Sequence, residues 1–407
     1  MNPSMLLPAF PKQVENWWWE QARQKWSEMG EEKMLNLMRR EIVEQSDRFN
    51  KDRSFDPSAY GSRDLSILAY GNFYFSRTWM AMTFAVGEAF TRCNWQPPTQ
   101  GPLRILDLGC GTGASGFSTL YLLRNLGVKN PIELHTWDYS GKSLSYLQEL
   151  GRACSDLWPN VKIVPRRMDL RELVKERRPK KFDLILLGYS LNELIEEMEM
   201  QTRMHWIEKI SQFSKHRGAI VLTEPAESEI CKSLHDLSAQ VSESKKLKLL
   251  APYFNGMPCP MHARAAKFFS HEVRKYPPLI TVERINRPLN LEIREVKFGL
   301  SILSPTAPPQ EKVGANLFRV ISPVRKRKGA ISLLGMASNG IEYLYEFQRR
   351  NLSKEEIDLL MYLERGDILR VSEKFIESNS ENRIRLNCPS ELVGEFVPRL
   401  KKQELKA

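Results

Sequence analysis

The sequence lacks the features that mark membrane and disulfide-stabilised proteins. It has no run of 18 apolar residues, so no membrane-spanning helix is expected. Its six cysteines are widely spaced and form no CxxC pair, which excludes a disulfide framework and favours a reducing cytoplasm. The N-terminus has neither the charged start of a secretory signal nor the acid-poor helix of a mitochondrial presequence, so we expect no targeting segment.

The chain does contain enough apolar material for two or three folded domains. Hydrophobic residues make up 42% of the 407 positions and charged residues 27%, which excludes disorder as the dominant state. Lysine and arginine number 60 against 49 acidic residues, so the net charge is +11. This balance suits an anionic partner, nucleic acid before a membrane surface, although a generally basic protein would show it too.

The spacing of apolar residues predicts three regions along the chain. Residues 1–100 have mainly helical spacing. Residues 101–305 alternate five short apolar strands with helices, which predicts an α/β fold with a parallel, doubly wound sheet. An irregular, proline-containing insert at about 226–290 interrupts this region, and residues 306–407 are predicted to form a small β-rich module.

A glycine-rich loop follows the first predicted strand of the sheet. Residues 105–113 read ILDLGCGTG, and a helix is predicted to follow them. Glycines let a backbone approach a ligand closely, and a helix start offers unpaired N–H groups. The order D-x-G-x-G-x-G differs from the G-x-G-x-x-G of dinucleotide sites. Asp107 lies at the end of the first strand, and Asp138 and Asp169 follow the next two strands. Three acidic groups therefore gather at the carboxyl edge of the sheet.

This pattern resembles motif I of the class I S-adenosylmethionine-dependent methyltransferases. The resemblance implies that the loop packs against the methionine and ribose part of the cofactor, that Asp138 binds the ribose hydroxyls and that Asp169 faces the adenine amino group. Each aspartate taken alone also suits a turn or a helix cap, and Cys110 suits a small loop residue without a catalytic role. The implied cofactor-binding residues are Asp107, Gly109, Cys110, Gly111, Gly113, Asp138 and Asp169.

The segment after the fourth strand lies where the resembled enzymes place groups that face the methyl acceptor. Its candidate catalytic residues are Tyr189, Asn192 and Glu193, which are equally suited to begin and cap a helix. The amino-methylating signature (D/N/S)-P-P-(Y/F) is missing, and no pair of cysteine nucleophiles is visible. Methyl transfer from a sulfonium mainly needs a positioned nucleophile, so these absences do not exclude it.

Several segments together resemble a narrower family, the ribosomal small-subunit methyltransferase-like proteins known from mitochondrial ribosome assembly and with bacterial members. The resemblance implies that the partner is small-subunit ribosomal RNA or an assembly intermediate. It covers about residues 60–372. The resembling segments are Tyr60–Tyr70 with Arg77–Trp79, Gly188–Leu194, Val221–Pro225, Ala251–Pro252 with Pro258–Met261, and Phe298–Pro305 followed by Arg325–Gly329.

The same family holds an iron–sulfur cluster with four cysteines, most of which are missing here. The matching positions are Tyr253, Cys259, the segment 267–270 and the segment 333–336, and only Cys259 is a cysteine. A cluster normally needs about four thiolates, so none is expected. A zinc site of Cys259, His262, His271 and a carboxylate is conceivable, but the spacing is typical of no zinc motif, and we predict no metal.

Two basic runs in the sequence favour RNA as the anionic partner. Residues 161–181 contain nine basic and three acidic residues, and residues 325–328 read RKRK. Such runs suit phosphate binding, although each alone also suits a solvated face.

The Trp17–Trp19 cluster either stacks on bases or, as we prefer, packs against the sheet.

We therefore expect a methyltransferase that uses S-adenosylmethionine and acts on small-subunit RNA or its assembly. The alternatives are a catalytically degenerate factor that docks on this RNA and a methyltransferase for a small molecule or a protein.

Overall fold

The computed structural model describes residues 3–47, 61–176, 179–195, 198–244, 246–261, 268–372 and 382–401. Within these ranges no helix has the length and apolarity needed to cross a membrane. Tyr60 and His262 lie outside the described residues. So do Arg177 and Arg178 of the basic run at 161–181 and Lys267 of the segment 267–270.

The helices in the described ranges are α1 (Lys12–Lys25), α2 (Glu31–Asp47), α3 (Asp64–Phe73), α4 (Phe75–Thr91), α5 (Ala114–Asn125), α6 (Gly141–Ala153), α7 (Leu191–Ile195), α8 (Met200–Ser211), α9 (Ser228–Glu243), α10 (Ile280–Asn286) and α11 (Lys354–Met361). Short 3-10 helices cover Ser155–Leu157, Leu170–Lys175, Arg349–Asn351 and Pro389–Glu391.

The strands in the described ranges are β1 (Met5–Leu7), β2 (Leu103–Leu108), β3 (Ile132–Asp138), β4 (Val161–Arg167), β5 (Phe182–Gly188), β6 (Ser214–Pro225), β7 (Lys248–Ala251), β8 (Glu272–Lys275), β9 (Glu295–Ser304), β10 (Leu317–Val320), β11 (Arg325–Lys326), β12 (Ala330–Ala337), β13 (Glu342–Gln348), β14 (Ile368–Val371), β15 (Arg383–Leu386), β16 (Leu392–Phe396) and β17 (Pro398–Leu400).

The central sheet confirms the predicted α/β fold. Its order is β4-β3-β2-β5-β6-β9-β7, and its first five strands are parallel, whereas β9 runs antiparallel to both neighbours. The strand order reverses between β2 and β5, which opens a crevice at the carboxyl ends of these strands. Residues 182–187 of β5 are all buried, as expected for a strand that helices cover on both faces.

The N-terminal helices pack against one side of this sheet. Helix α4 contacts α5, β6 and β9. Trp18 is 1% exposed and stacks on Tyr146 with a ring separation of 6.0 Å. Trp17 and Trp19 are half-buried beside it. The tryptophan cluster is therefore a packing element, as preferred from the sequence.

The C-terminal region is β-rich, as predicted. Its sheet has the order β15-β13-β12-β10-β14-β16, and β11 pairs with β12. An unpredicted feature is that β1, near the start of the chain, pairs in parallel with β17, near its end. The largest hydrophobic cluster includes residues from Met5 to Phe396, so all three regions contribute to it. The boundaries at 100 and 305 remain predictions.

Candidate active site

The glycine loop turns sharply after β2 because its three glycines have left-handed backbones. The φ angles are +65° at Gly109, +51° at Gly111 and +92° at Gly113, a region that favours glycine. The amides of Gly109 and Cys110 both donate to the carbonyl of Trp137, at 2.9 and 3.3 Å. The loop is thereby fixed to the end of the neighbouring strand β3.

Asp138, the last residue of β3, joins this loop to the next helix. Its Oδ2 accepts from the Gly111 amide at 2.8 Å, and its Oδ1 accepts from the Ser140 amide at 2.8 Å. Burial raises the pKa of Asp138 to about 6, against the opposing effect of these two N–H groups. Each carboxylate oxygen keeps a second lone pair, so the group can accept from a pair of ligand hydroxyls.

Asp107 lies beneath the loop and does not line the cavity described below. It is fully buried, and its Oδ2 accepts from the Gly116 amide at 2.8 Å in the first turn of α5. Its Oδ1 has no hydrogen-bond partner among the described residues. Burial, with the nearby charge of Asp138, raises the pKa of Asp107 to about 7. In this position Asp107 holds the start of α5 to the sheet.

Asp169 lies at the predicted place after β4 but is already engaged. It caps the 3-10 helix that follows, with its Oδ1 accepting from the Arg171 amide at 2.9 Å. The Arg171 guanidinium also donates to both carboxylate oxygens and thereby lowers the pKa of Asp169. The capping role left open by the sequence is thus present.

A cavity of about 830 Å³ lies at the carboxyl edge of the sheet. This volume is in the range of small-molecule and cofactor sites. The structure brings eight of the ten candidate residues into its wall, whereas Asp107 and Gly113 stay outside it. The eight are Gly109, Cys110, Gly111, Asp138, Asp169, Tyr189, Asn192 and Glu193.

Glu224 is a cavity residue that sequence reasoning did not single out. It is the last residue but one of β6, directly after the strand's apolar stretch, and it is 1% exposed. Its Oε1 accepts from the amides of Leu191 and Asn192, and its Oε2 accepts from the Asn192 side chain. Burial raises the pKa of Glu224 to about 8. The available signal was its place: an acidic residue at the end of a parallel strand, as in the three aspartates.

The positions matched to the family's cluster cysteines lie together in a small apolar group. Tyr253 is buried, and its hydroxyl donates to Ser270 Oγ at 2.9 Å. Cys259 and Met336 belong to the same group. Among the described residues, which exclude His262, no three His, Cys, Asp or Glu side chains are placed to hold a metal.

The middle of the basic run at 161–181 lies near the cavity. Arg171 lines the cavity, and Arg167 donates to the carbonyl of the cavity residue Tyr139 at 3.0 Å. Lys162, Arg166 and Lys175 of the same run are exposed, although Arg166 is paired with Glu176 and Lys175 with Glu172. The run at 325–328 is exposed on the C-terminal sheet.

A family model described as mitochondrial small ribosomal subunit Rsm22 matches residues 65–344, which is more than half of the chain. The chain belongs to the Rsm22 family. The narrower resemblance seen in the sequence is thereby confirmed. The Rsm22 match runs from α3 to β13 and includes the glycine loop and all the candidate residues. The family description is mitochondrial, whereas the sequence favours the cytoplasm, and that compartment remains a prediction.

Several solved methyltransferase structures are also similar, at low identity. An S-adenosylmethionine-dependent methyltransferase from Clostridium acetobutylicum is 12% identical, over 70% of this chain and 78% of that chain, with a TM-score of 0.27. Mitomycin 7-O-methyltransferase MmcR is 13% identical, over 62% and 58%, with a TM-score of 0.35. NSun6 from Pyrococcus horikoshii with SFG is 20% identical, over 49% and 47%, with a TM-score of 0.31. No curated protein matches the chain.

Proposed function

We propose that this Rsm22-family protein is an S-adenosylmethionine-dependent methyltransferase that acts on the RNA of the small ribosomal subunit. The observation that carries the proposal is the hydrogen bond from the Gly111 amide to Asp138 Oδ2, because it joins the glycine loop and the acidic strand end into one cavity wall. A Cβ added at Gly111 would meet no heavy atom within 4 Å, so this backbone faces open space.

The cofactor, when bound, supplies a methyl group activated on a sulfonium. Asp138 would accept hydrogen bonds from the ribose hydroxyls, and the backbone at Gly109 and Gly111 would lie against the ribose and methionine part. The acceptor would enter from the side of Tyr189, Asn192 and Glu224. The half-enclosed cavity would then limit water around the reacting atoms.

The choice of RNA as the acceptor is supported by charge. Two exposed arginines of the basic run, Arg167 and Arg171, lie at or beside the cavity, and the whole chain carries a net charge of +11. Phosphate binding by such a surface releases counterions, so the affinity would fall steeply with salt.

The first experiment is a calorimetric titration with S-adenosylmethionine. We expect micromolar binding by the wild type and a loss of at least about tenfold in Asp138→Ala, since one charge-assisted hydrogen bond contributes about 1.5–3 kcal/mol. Asp156→Ala is the matched control, because Asp156 is exposed and does not line the cavity. The absence of binding by the wild type would contradict the cofactor site.

The second experiment asks for the acceptor. Purified small-subunit RNA is incubated with protein and methyl-labelled cofactor, and the label in the RNA is counted. We expect incorporation that falls when salt is raised from about 50 to 200 mM. Label on protein or small molecules alone would favour the corresponding alternative.

One observation favours the docking alternative. The Arg171 guanidinium occupies both oxygens of Asp169, the carboxylate expected to face the adenine amino group. If the protein docks on RNA without transferring methyl groups, Arg171→Ala should restore cofactor binding that the wild type lacks.

A further inference from the structure

The acceptor side of the cavity contains an asparagine whose amide is oriented by a buried carboxylate. Asn192 Nδ2 donates to Glu224 Oε2, and the Asn192 backbone amide donates to Oε1 at 3.2 Å. The Leu191 amide donates to the same Oε1 at 2.9 Å. These three N–H donors suit the carboxylate form of Glu224, which only accepts hydrogen bonds.

The orientation leaves the amide oxygen of Asn192 available to a ligand in the cavity. One N–H of Nδ2 is engaged by Glu224, and the atom on the other side of the amide is Oδ1, an acceptor. Within the described part of the chain Oδ1 makes no hydrogen bond, and Asn192 lines the cavity. A ligand that pairs with Oδ1 presents an N–H or O–H donor at this point.

Protonation of Glu224 would reverse this arrangement. A carboxylic acid at Oε2 would donate to the amide oxygen and turn the Asn192 NH2 group toward the cavity. Burial raises the pKa of Glu224 to about 8, but a cation in the same cavity favours the carboxylate. The sulfonium of the cofactor is such a cation, so binding of the cofactor and an outward-facing Oδ1 support each other.

Aromatic rings flank the same space. Tyr189 lines the cavity with a left-handed backbone, φ +59°, which a bulky residue adopts at a cost of about 1–2 kcal/mol. Such strain is typical of positions that hold a side chain for function. Tyr70 of α3 and Tyr74, just after that helix, line the cavity as well, and their rings lie 6.2 Å apart. Flat rings of this kind stack on nucleobases of any sequence.

We propose that Asn192 Oδ1, oriented by Glu224, accepts a hydrogen bond from the exocyclic amino group of a nucleobase stacked on Tyr189, and so selects an amino nitrogen as the methyl acceptor. This rests on the proposed function. In the transfer, the nitrogen lone pair forms the new N–C bond, the C–S bond breaks with its electron pair going to sulfur, and the nitrogen loses one proton to water. Glu224 acts as a positioning residue through Asn192.

The test compares matched nucleosides that differ in the exocyclic group. Cytidine against uridine, and adenosine against inosine, are titrated into the protein with sinefungin present, a cofactor analogue whose ammonium group supplies the cation without a transferable methyl group. Binding is followed by saturation-transfer NMR. We expect the wild type to bind the amino member of each pair about fivefold more tightly, the value of one hydrogen bond. Equal affinities, or no binding of either member, would overturn the proposal whether or not methyl transfer occurs.

The variants give a sharper readout. Glu224→Gln can still accept the backbone amides, but its NH2 would donate to Asn192 Oδ1 and turn the Asn192 NH2 toward the cavity. We expect a reversed nucleoside preference, RNA methylation reduced about 100-fold and an unchanged affinity for S-adenosylhomocysteine, which lacks the sulfonium charge. The double variant Asn192→Asp with Glu224→Gln restores an outward-facing acceptor and should recover the amino preference.

These outcomes distinguish the recognition role of Asn192 from the proposal that the protein is a methyltransferase. A Glu224→Gln variant that keeps the wild-type preference would contradict the role of Asn192. An amino preference in a wild type that methylates no RNA would leave this recognition standing and overturn the enzyme proposal. Mass analysis of methylated RNA should place the methyl group on an exocyclic nitrogen, and a methyl on ribose or a ring carbon would contradict the selection.

Discussion

At the scale of single residues, burial makes three carboxyl groups in and beneath the cavity wall hard to ionise. The pKa values are raised to about 7 at Asp107, about 6 at Asp138 and about 8 at Glu224. Desolvation is the main cause for each, and backbone N–H donors offset only part of it. The cavity wall therefore disfavours negative charge at Asp138 and Glu224, and a cationic ligand would relieve that cost.

Asp107 provides a pH-dependent test of this burial. Its folded pKa of about 7 exceeds the usual value of 3.8 for an exposed aspartate, so the folded state keeps a proton that the unfolded state loses. The free energy of unfolding should therefore fall with rising pH between about 4 and 7, by up to about 1.4 kcal/mol per pH unit from this group. Asp107→Asn removes the titration while keeping an acceptor for Gly116.

We expect the stability of Asp107→Asn relative to wild type to rise with pH across that window and then to level off. Urea unfolding at pH 5, 6, 7 and 8 measures it, with Asp156→Asn as the exposed control. Two parallel curves for wild type and Asp107→Asn would show that Asp107 titrates as an exposed group.

The placement of Asp138 and Asp169 was predictable because alternating strands and helices put both at the ends of parallel strands. The burial of Asp107 was not, since it depends on how closely α5 packs over β2. The role of Glu224 also escaped prediction, because its partners Leu191 and Asn192 are more than thirty residues away in the chain. Arg171 is visible two residues after Asp169, but the sequence does not determine that the two side chains pair.

At the scale of elements, the turn between β2 and α5 is held by close contacts as well as by backbone conformation. A Cβ at Gly109 would lie 2.5 Å from Ser190 Cβ at the end of β5. This approach allows the loop and the segment after β5 to share the cavity wall. By contrast, Gly127 also has a left-handed backbone, φ +81°, but a Cβ there would meet nothing within 4 Å.

The variants Gly109→Ala and Gly127→Ala separate the cost of the left-handed backbone from the cost of the close contact with Ser190. Gly127→Ala should cost about 1–2 kcal/mol for the left-handed backbone alone. Gly109→Ala should cost more, because the loop must also move away from Ser190, and it should weaken S-adenosylmethionine binding about tenfold or more. Chemical denaturation and calorimetry measure both quantities. Equal stability losses with unchanged cofactor affinity in Gly109→Ala would contradict the close contact.

The parallel strands of the central sheet were predictable and the shortest strands were not. Strand β5 is an almost wholly apolar run buried on both faces, and β2 is nearly so, whereas β3 alternates buried and half-buried residues in its first half. Strands β1, β7, β8 and β17 have three or four residues each, too few for a periodic pattern. Their pairing depends on distant partners, as with β1 and β17.

At the scale of the whole molecule, a buried ionic network connects the three predicted regions. Arg319 of β10 donates to Glu88 of α4 at 2.8 and 2.9 Å and to Glu272 of β8 at 3.1 Å. Arg274 of β8 and Arg399 of β17 both donate to Asp367, just before β14. Every side chain in this network is at most 4% exposed. The C-terminal sheet is thereby tied to the N-terminal helices and to the insert.

Removing Arg319 should therefore loosen the whole molecule. Although burial opposes its ionisation, Arg319 and Arg92 hold the pKa of Glu88 at about 2. Arg319→Met would leave Glu88 and Glu272 buried without this partner and should lower the free energy of unfolding by about 3–5 kcal/mol. Hydrogen exchange should show the strands β10, β12 and β13 losing protection before the central sheet. The control is Arg385→Met, because Arg385 is 61% exposed and 4.0 Å from Glu346, and it should change stability by less than about 1 kcal/mol.

A further variant shows whether the loss of stability in Arg319→Met comes from unpaired charge or from lost packing. Arg319→Met combined with Glu88→Gln and Glu272→Gln removes the uncompensated charges and should recover much of the lost stability, because neutral buried groups cost less than unpaired ions. If the triple variant is no more stable than Arg319→Met, the loss comes from the packing of the Arg319 side chain. If Arg319→Met is as stable as the Arg385→Met control, the network does not join the regions, and the C-terminal sheet is held by the shared hydrophobic cluster and the β1–β17 pairing alone.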